Sequence, residues 1–390
     1  MVNILLLGLV SFFSDFASEM VYPLIPLYLT AAFGATPALV GIIEGIAESL
    51  ASLLKVFSGY VTDKYHKKKR LAFIGYSTGL LYKIALILSG SWAGVLAARA
   101  IDRIGKGIRT APRDVLVSES ANQDSLGKAF GIHKALDMAG SAVGILTAYF
   151  LLAGLNGKSI DFKSFFLLSM IPSIFGLIAL LLVKEKKTAY VPKKREEFWK
   201  NAKAINGNLK LYLVVAFIFT IGNSSNTFLL LRAKSIGFND QNVVLLYFIY
   251  NISAALLSIP LGKLSDRIGR KKLLVGGYLV FAAVYFGFAF ITSQAMMVAM
   301  FILYGLYTAM TAGVERAYIA EISPPELKGT MLGLQSTIVG VALLPASVIA
   351  GFLWTGFGAF APFTFGALLA LIAALLLVFL MKGRISATAR

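Results

Sequence analysis

Runs of roughly 20 apolar residues recur along the whole chain, each long enough to cross a bilayer as a helix, and short polar segments divide them. Their spacing predicts twelve spans, at about 4–31, 37–61, 70–90, 92–109, 127–154, 163–183, 209–231, 241–262, 272–292, 295–320, 329–353 and 359–381. The longest polar stretch, 184–208, holds Pro192 and many charges and predicts a cytoplasmic linker between two six-span halves, 1–183 and 209–390. Within it, Glu196 to Ile205 has the pattern of an amphipathic helix lying on headgroups, with Phe198 and Trp199 at the interface. The opening Met1-Val2-Asn3 has no basic flank and no small-residue cleavage site, so the first apolar run is read as a retained span. The expected fold is an all-α integral membrane protein.

Composition agrees. The chain is 58% hydrophobic and 14% charged, whereas a soluble domain has about 25% charged residues. The net charge of +18 does not indicate nucleic acid, because the basic residues collect in alternate loops. Lys64 and 67–70 follow span 2, Arg109, Arg113 and Lys128 follow span 4, and the linker, Arg267 to Lys272 and the tail carry the rest. The opposite loops are short and nearly uncharged, which puts both termini in the cytoplasm of a multi-pass cell-membrane protein. There is no cysteine, so disulfides, thiolate metal sites and cysteine nucleophiles are excluded. Gly105-Lys106-Gly107 lacks the spacing of a phosphate-binding loop, and neither a zincin motif nor a nucleophile elbow is read. The expectation is therefore a protein without enzymatic activity, cofactor or resident metal.

The two halves repeat. Gly59-Tyr60-Val61-Thr62-Asp63-Lys64-Tyr65-His66-Lys67-Lys68 has a counterpart 203 positions later in Gly262-Lys263-Leu264-Ser265-Asp266-Arg267-Ile268-Gly269-Arg270-Lys271. Val117-Ser118-Glu119 through Gly131 matches Ile319-Ala320-Glu321 through Gly333 at an offset of 202. Two matches at nearly one offset mean two related halves, a known plan for transporters. The loop pattern resembles the Gly-x-x-x-Asp-(Arg/Lys)-x-Gly-(Arg/Lys)-(Arg/Lys) motif of the major facilitator superfamily. The second copy is nearly complete, and the first has His66 where Gly is expected. The resemblance covers the whole chain. It implies two pseudo-symmetric six-helix bundles around one central cavity, a monomer, and a latch between halves formed by Gly59, Asp63, Lys64, Lys67, Gly262, Asp266, Arg267, Gly269 and Arg270. Physically, Gly59 and Gly262 suit close helix approach, while Asp63 and Asp266 suit a helix N-terminus.

Ionisable groups deep in spans face a cavity or a partner, since an isolated charge at the bilayer centre costs at least about 2.5–3.5 kcal/mol. Asp15 and Glu19, Glu44 and Glu48, and His133 and Asp137 are each spaced i,i+4, and Lys83 and Lys134 are the accompanying bases. In the second half the interior polar groups are mostly neutral, with Asn223, Asn226, Tyr250 and Tyr304 as candidates for hydrogen bonding and an aromatic wall that also includes Tyr247 and Tyr307. Arg99, Asp102, Arg103, Arg109, Arg113, Glu315 and Arg316 are expected to form ion pairs between the halves. Two readings compete: Asp15, Glu19 or Asp137 exchanges protons during alternating access, or Asp15 and Glu19 are internal ties to Lys83 and Lys134. His133 with Asp137 also suits a transition metal, although Lys134 beside them opposes a resident cation. Pro23, Pro26, Pro260 and Pro345 are placed to bend their spans, and Gly140 and Gly144 to pack closely. The expected function is proton-coupled export of a cationic or amphipathic small molecule, with protons, substrate and lipid as partners. The rivals are uptake or exchange of an anionic or zwitterionic metabolite through Lys83, Arg99 and Lys134, and transition-metal export.

Overall fold

The computed structural model describes residues 2–65, 68–120, 126–155, 160–185, 207–323 and 328–379, with only the backbone for 55–65, 126–128, 131, 320 and 328–330. Every regular element among the described residues is helical. In chain order they are α1 (Val2–Glu19), α2 (Ile25–Phe33), α3 (Pro37–Tyr65), α4 (Lys68–Leu88), α5 (Trp92–Glu119), α6 (Leu126–Gly154), α7 (Phe162–Leu168), α8 (Met170–Leu182), α9 (Gly207–Gly222), α10 (Thr227–Ser235), α11 (Asp240–Ile268), α12 (Arg270–Phe290), α13 (Gln294–Ile322), α14 (Lys328–Phe357) and α15 (Phe360–Phe379).

Eleven helical segments among the described residues are long and apolar enough to span a membrane. The twelfth predicted span, α5, is long enough but carries too many charges to count as apolar. It also runs to Glu119 rather than ending near 109. Four of its charges are inside the protein: Arg99, Asp102, Arg103 and Arg109 are buried. Span 1 is broken rather than bent. Pro23 and Pro26 each lack an N–H, and the chain passes from α1 through a 3-10 turn at Tyr22–Leu24 into α2. Span 7 is also interrupted, at 223–225 between α9 and α10. By contrast, Pro260 and Pro345 lie within continuous helices. The predicted linker falls largely on 186–206, including the interfacial helix, and so lies outside the described residues.

Two compact units emerge. Unit 1 comprises 1–191 with 226–248; unit 2 comprises 192–225 with 249–390. The stretch 226–248 belongs to the second half by sequence, yet its contacts are with the first, where α10 packs on α2. In unit 1, α1 packs on α6 and α8, and α5 packs on α3 and α4. In unit 2, α12 packs on α13 and α15, and α9 on α14 and α15. The outer face of α8 exposes Ile171, Ile174, Phe175, Ile178 and Leu182, an apolar stripe at helical spacing of the kind that lipid covers.

The α1–α6 contact is unusually close. A Cβ at Gly140 would overlap the backbone of Phe12, and one at Gly144 would overlap the carbonyl oxygen of Phe16. The two glycines are one turn apart, so a single groove on α6 receives the backbone of α1, as the sequence spacing predicts.

Candidate functional site

The α1–α6 groove determines what faces what in unit 1. Asp15 lies on α1 between Phe12 and Phe16, and Asp137 lies on α6 just before Gly140. Their carboxyl groups meet in a side-chain hydrogen bond. A hydrogen bond between two carboxyl groups forms only when one of them is protonated. On the other side of Asp137, the Lys134 ammonium donates at 2.7 Å from an exposed position. Glu19, one turn beyond Asp15 at the end of α1, accepts from the Tyr247 hydroxyl at 3.2 Å. Tyr247 also packs its ring 5.5 Å from Tyr22 in the broken part of span 1. The ties expected from Asp15 and Glu19 to Lys83 and Lys134 are not the ones made: Lys134 binds Asp137 instead, and among the described residues no carboxylate lies within ion-pair distance of Lys83.

His133 points elsewhere. Its ring is buried and its Nε2 lies 2.9 Å from the Ser11 hydroxyl. Among the described residues no cluster of three or more metal-ligating side chains exists.

A second charged layer joins α3 to α5. Arg99 donates through Nε and Nη2 to the two oxygens of Glu44, at 3.0 and 2.7 Å. Arg103 pairs with Glu48 at 2.8 Å. Asp102 sits between the two guanidiniums, 3.8 Å from Arg99 and 3.7 Å from Arg103. Both helices run in the same direction, so the i,i+4 spacing of the glutamates matches the i,i+4 spacing of the arginines. Both guanidiniums also face the Tyr22 ring, at 5.4 and 6.0 Å. These partners lie within unit 1, whereas the sequence reading expected ties between halves, and Glu44 is fully buried. Arg109 lies on the Tyr76 ring at 4.7 Å, and Arg113 binds the neighbouring Asp114.

In unit 2 the interior is aromatic. Tyr250, Tyr304 and Tyr307 form a chain of rings 5.1 and 5.2 Å apart. Phe281 continues it to Tyr285, and Phe219 stacks on Tyr278 at 4.0 Å. Asn223, at the break after α9, donates to the Tyr307 hydroxyl at 2.9 Å. Asn226 lies beyond the break, at the start of α10 in unit 1. The Tyr278 hydroxyl donates to Glu315 at 3.3 Å, so the wall has one carboxylate at its edge, while Arg316 is exposed. The contribution of Glu315 to this wall was not read from the sequence. Tyr278 and Glu315 lie 37 residues apart on different helices, and only packing joins them.

The repeat is visible in contacts. Lys68 at the start of α4 pairs with Glu119 at the end of α5, and Arg270 at the start of α12 pairs with Glu321 near the end of α13 at 2.8 Å. Each residue of the second pair lies 202 positions after its counterpart. Arg270 also holds Asp266 at 3.1 Å. Between them Gly269 has φ +95°, a conformation that excludes most side chains. Arg267 is exposed. A methyl group at Gly262 would meet nothing within 4 Å, so the close backbone approach expected there is not made. In the first motif copy, the side chains of Gly59, Asp63, Lys64 and Lys67 lie outside the described residues. Gly75-Tyr76-Ser77-Thr78-Gly79 has the Gly-x-Ser-x-Gly spacing of a nucleophile elbow. It lies in unbroken α4, however, and Ser77 donates to the Phe73 carbonyl, so the strand–turn–helix context is missing.

Comparison with known proteins agrees with this architecture. The family model described as Major Facilitator Superfamily matches residues 7–239 and 211–389. An uncharacterized MFS-type transporter of Methanocaldococcus jannaschii is 38% identical over 384 residues, covering 97% of this chain and 94% of the relative. The fosmidomycin resistance protein of Escherichia coli is 24% identical over 277 residues, covering 68% of this chain and 65% of the relative. The crystal structure of a mutant nucleoside transporter NupG has the same fold, with a TM-score of 0.83 at 14% identity, over 97% of this chain and 100% of that one. With the repeated motif, the apolar helices and a family match across both halves, the chain belongs to the Major Facilitator Superfamily of multi-pass membrane transporters.

Proposed function

We propose that the protein is a proton-coupled exporter of a cationic or amphipathic small molecule, working by alternating access between its two six-helix halves in the cytoplasmic membrane. The observation that carries this reading is the Asp15–Asp137 carboxyl pair, with Glu19 one helical turn away. A shared proton on that pair neutralises one charge, and binding of a cation in its place would release it. The aromatic wall of unit 2, edged by Glu315, supports the substrate class, since ring faces and a carboxylate both favour organic cations. Similarity to a resistance protein, although only 24% identical, is compatible with export. The rival anionic reading is weaker, because Arg99 and Lys134 already bind carboxylates. The latch motif would favour one of the alternating states, the monomer would be the working unit, and both termini would be cytoplasmic.

The test is proton flux in proteoliposomes holding an internal pH dye, with cationic, anionic and neutral solutes and divalent metals added in turn. Cationic or amphipathic solutes are expected to move protons. Asp15→Asn and Asp137→Asn are each expected to lower that flux at least about tenfold and to reduce solute counterflow less, because one carboxylate of the pair remains to attract a cation. Proton-driven transport at the wild-type rate in the Asp15→Asn/Glu19→Gln/Asp137→Asn triple variant would overturn the proposal.

A further inference from the structure

The mechanism above leaves Lys83 unused. It is 1% exposed, and its ammonium makes one hydrogen bond among the described residues, to the Gly79 carbonyl at 3.1 Å. The nearby acid, Asp102, is held by both Arg99 and Arg103. Lys83 lines a small cavity between α1, α4 and α8, together with Ser14, Ser18, Tyr76, Gly79 and Ser173. Only about one water-sized sphere fits clear of the walls.

Three features make this more than a packing gap. The Tyr76 hydroxyl is buried and has no hydrogen-bond partner among the described residues. The Ser14 and Ser18 hydroxyls, one turn apart on α1, also have no side-chain hydrogen bond there. Tyr76 and Lys83 are separated by two turns of α4, and between them Gly79 leaves space in which a Cβ would meet nothing within 4 Å. The lining is therefore one ammonium and the hydroxyls of Tyr76, Ser14 and Ser18 around a small space, with no carboxylate, while the Ser173 hydroxyl donates to the Ser169 carbonyl. Arg109, buried 4.7 Å from the centre of the Tyr76 ring, adds positive potential. A buried cation and the unmet, buried Tyr76 hydroxyl are costly unless something completes their bonds.

We propose that this cavity binds a small monovalent anion of chloride size. An ammonium and hydroxyl donors supply charge-assisted bonds to an anion, and the narrow space excludes carboxylate metabolites and phosphate. The site is separate from the Asp15–Asp137 pair: Ser14 and Ser18 lie on a neighbouring face of α1. An anion there would tie α1 to α4 and α8, and so would stabilise unit 1 without itself being transported.

The test is thermal unfolding of the purified full chain in sodium chloride against sodium gluconate at equal ionic strength, followed by bromide and nitrate. A saturable rise in Tm with chloride, absent in gluconate, is expected, because a ligand of the folded state stabilises by mass action. Lys83→Met and Gly79→Val, which remove the charge and fill the space, should each abolish the chloride-dependent increment, and Tyr76→Phe should shift its midpoint to higher chloride. Equal Tm values in the two salts for the wild type would overturn the proposal. So would an increment that persists in Gly79→Val, a variant that keeps the lysine and remains informative if Lys83→Met does not fold. Because no transport is measured, this result is independent of the proton-flux assay.

Discussion

Arg99→Met is expected to be among the most destabilising single substitutions in the chain. Arg99 is 1% exposed and Glu44 is 0% exposed, and two hydrogen bonds join them. Methionine fills much of the same volume but removes both guanidinium hydrogen bonds from the buried Glu44 carboxylate, which costs about 3–5 kcal/mol. The neighbouring pair would suffer too, since Asp102 would keep only Arg103. The double variant Arg99→Met/Glu44→Met is expected to recover most of the loss, because an apolar pair of similar volume replaces both charges. Thermal or denaturant unfolding of the wild type, both single variants and the double variant gives the coupling directly. Additive single effects would show that the two groups do not depend on each other. Arg103→Met should cost less, since Glu48 is 28% exposed and can be hydrated.

The second large effect is expected at Gly140. A side chain there meets the carbonyl oxygen, carbonyl carbon and Cα of Phe12, all backbone atoms that cannot turn aside. Gly140→Val should therefore force α1 away from α6, with an overpacking cost of about 1–3 kcal/mol or more. Gly8 lies on the same interface, but a Cβ there meets the end of the Leu136 side chain, which can change rotamer. Gly8→Ala is the matched control and should lower Tm far less. Function should fall further than stability, because Asp15 and Asp137 bridge the same two helices within one turn of Gly140. A Gly140→Val protein that folds yet moves protons normally would show that the carboxyl pair does not need the close approach. A Tm equal to that of Gly8→Ala would show that the groove can widen.

The predictions differ in how much of their basis was legible beforehand. Gly140 and Gly144 were recognisable from their spacing, because a small-residue stripe has few uses on a membrane helix except close packing. The partner face was not recognisable, since nothing in the local sequence names Phe12 and Phe16 as the backbone that fills it. The glutamate and arginine pairs show the same division. Their i,i+4 spacing was visible on two separate spans, but 55 residues separate Glu44 from Arg99, and the pairing across parallel helices was expected between halves instead.

Whatever depends on local chemistry and on the bilayer is legible in the amino-acid order. Apolar runs set the spans, because a membrane leaves a helix no other way to satisfy its backbone. Repeated motifs at offsets of 203 and 202 set the two-fold plan, and the prolines of span 1 set its break. The tertiary structure alone decided which buried charge meets which. It joined Asp15 to Asp137, turned His133 to Ser11, placed Glu315 at the edge of an aromatic wall, and left Lys83 among hydroxyls. Each of these depends on helix rotation and depth, where about 100° per residue separates a cavity-facing side chain from its neighbour, and only packing between helices distant in sequence fixes those two quantities.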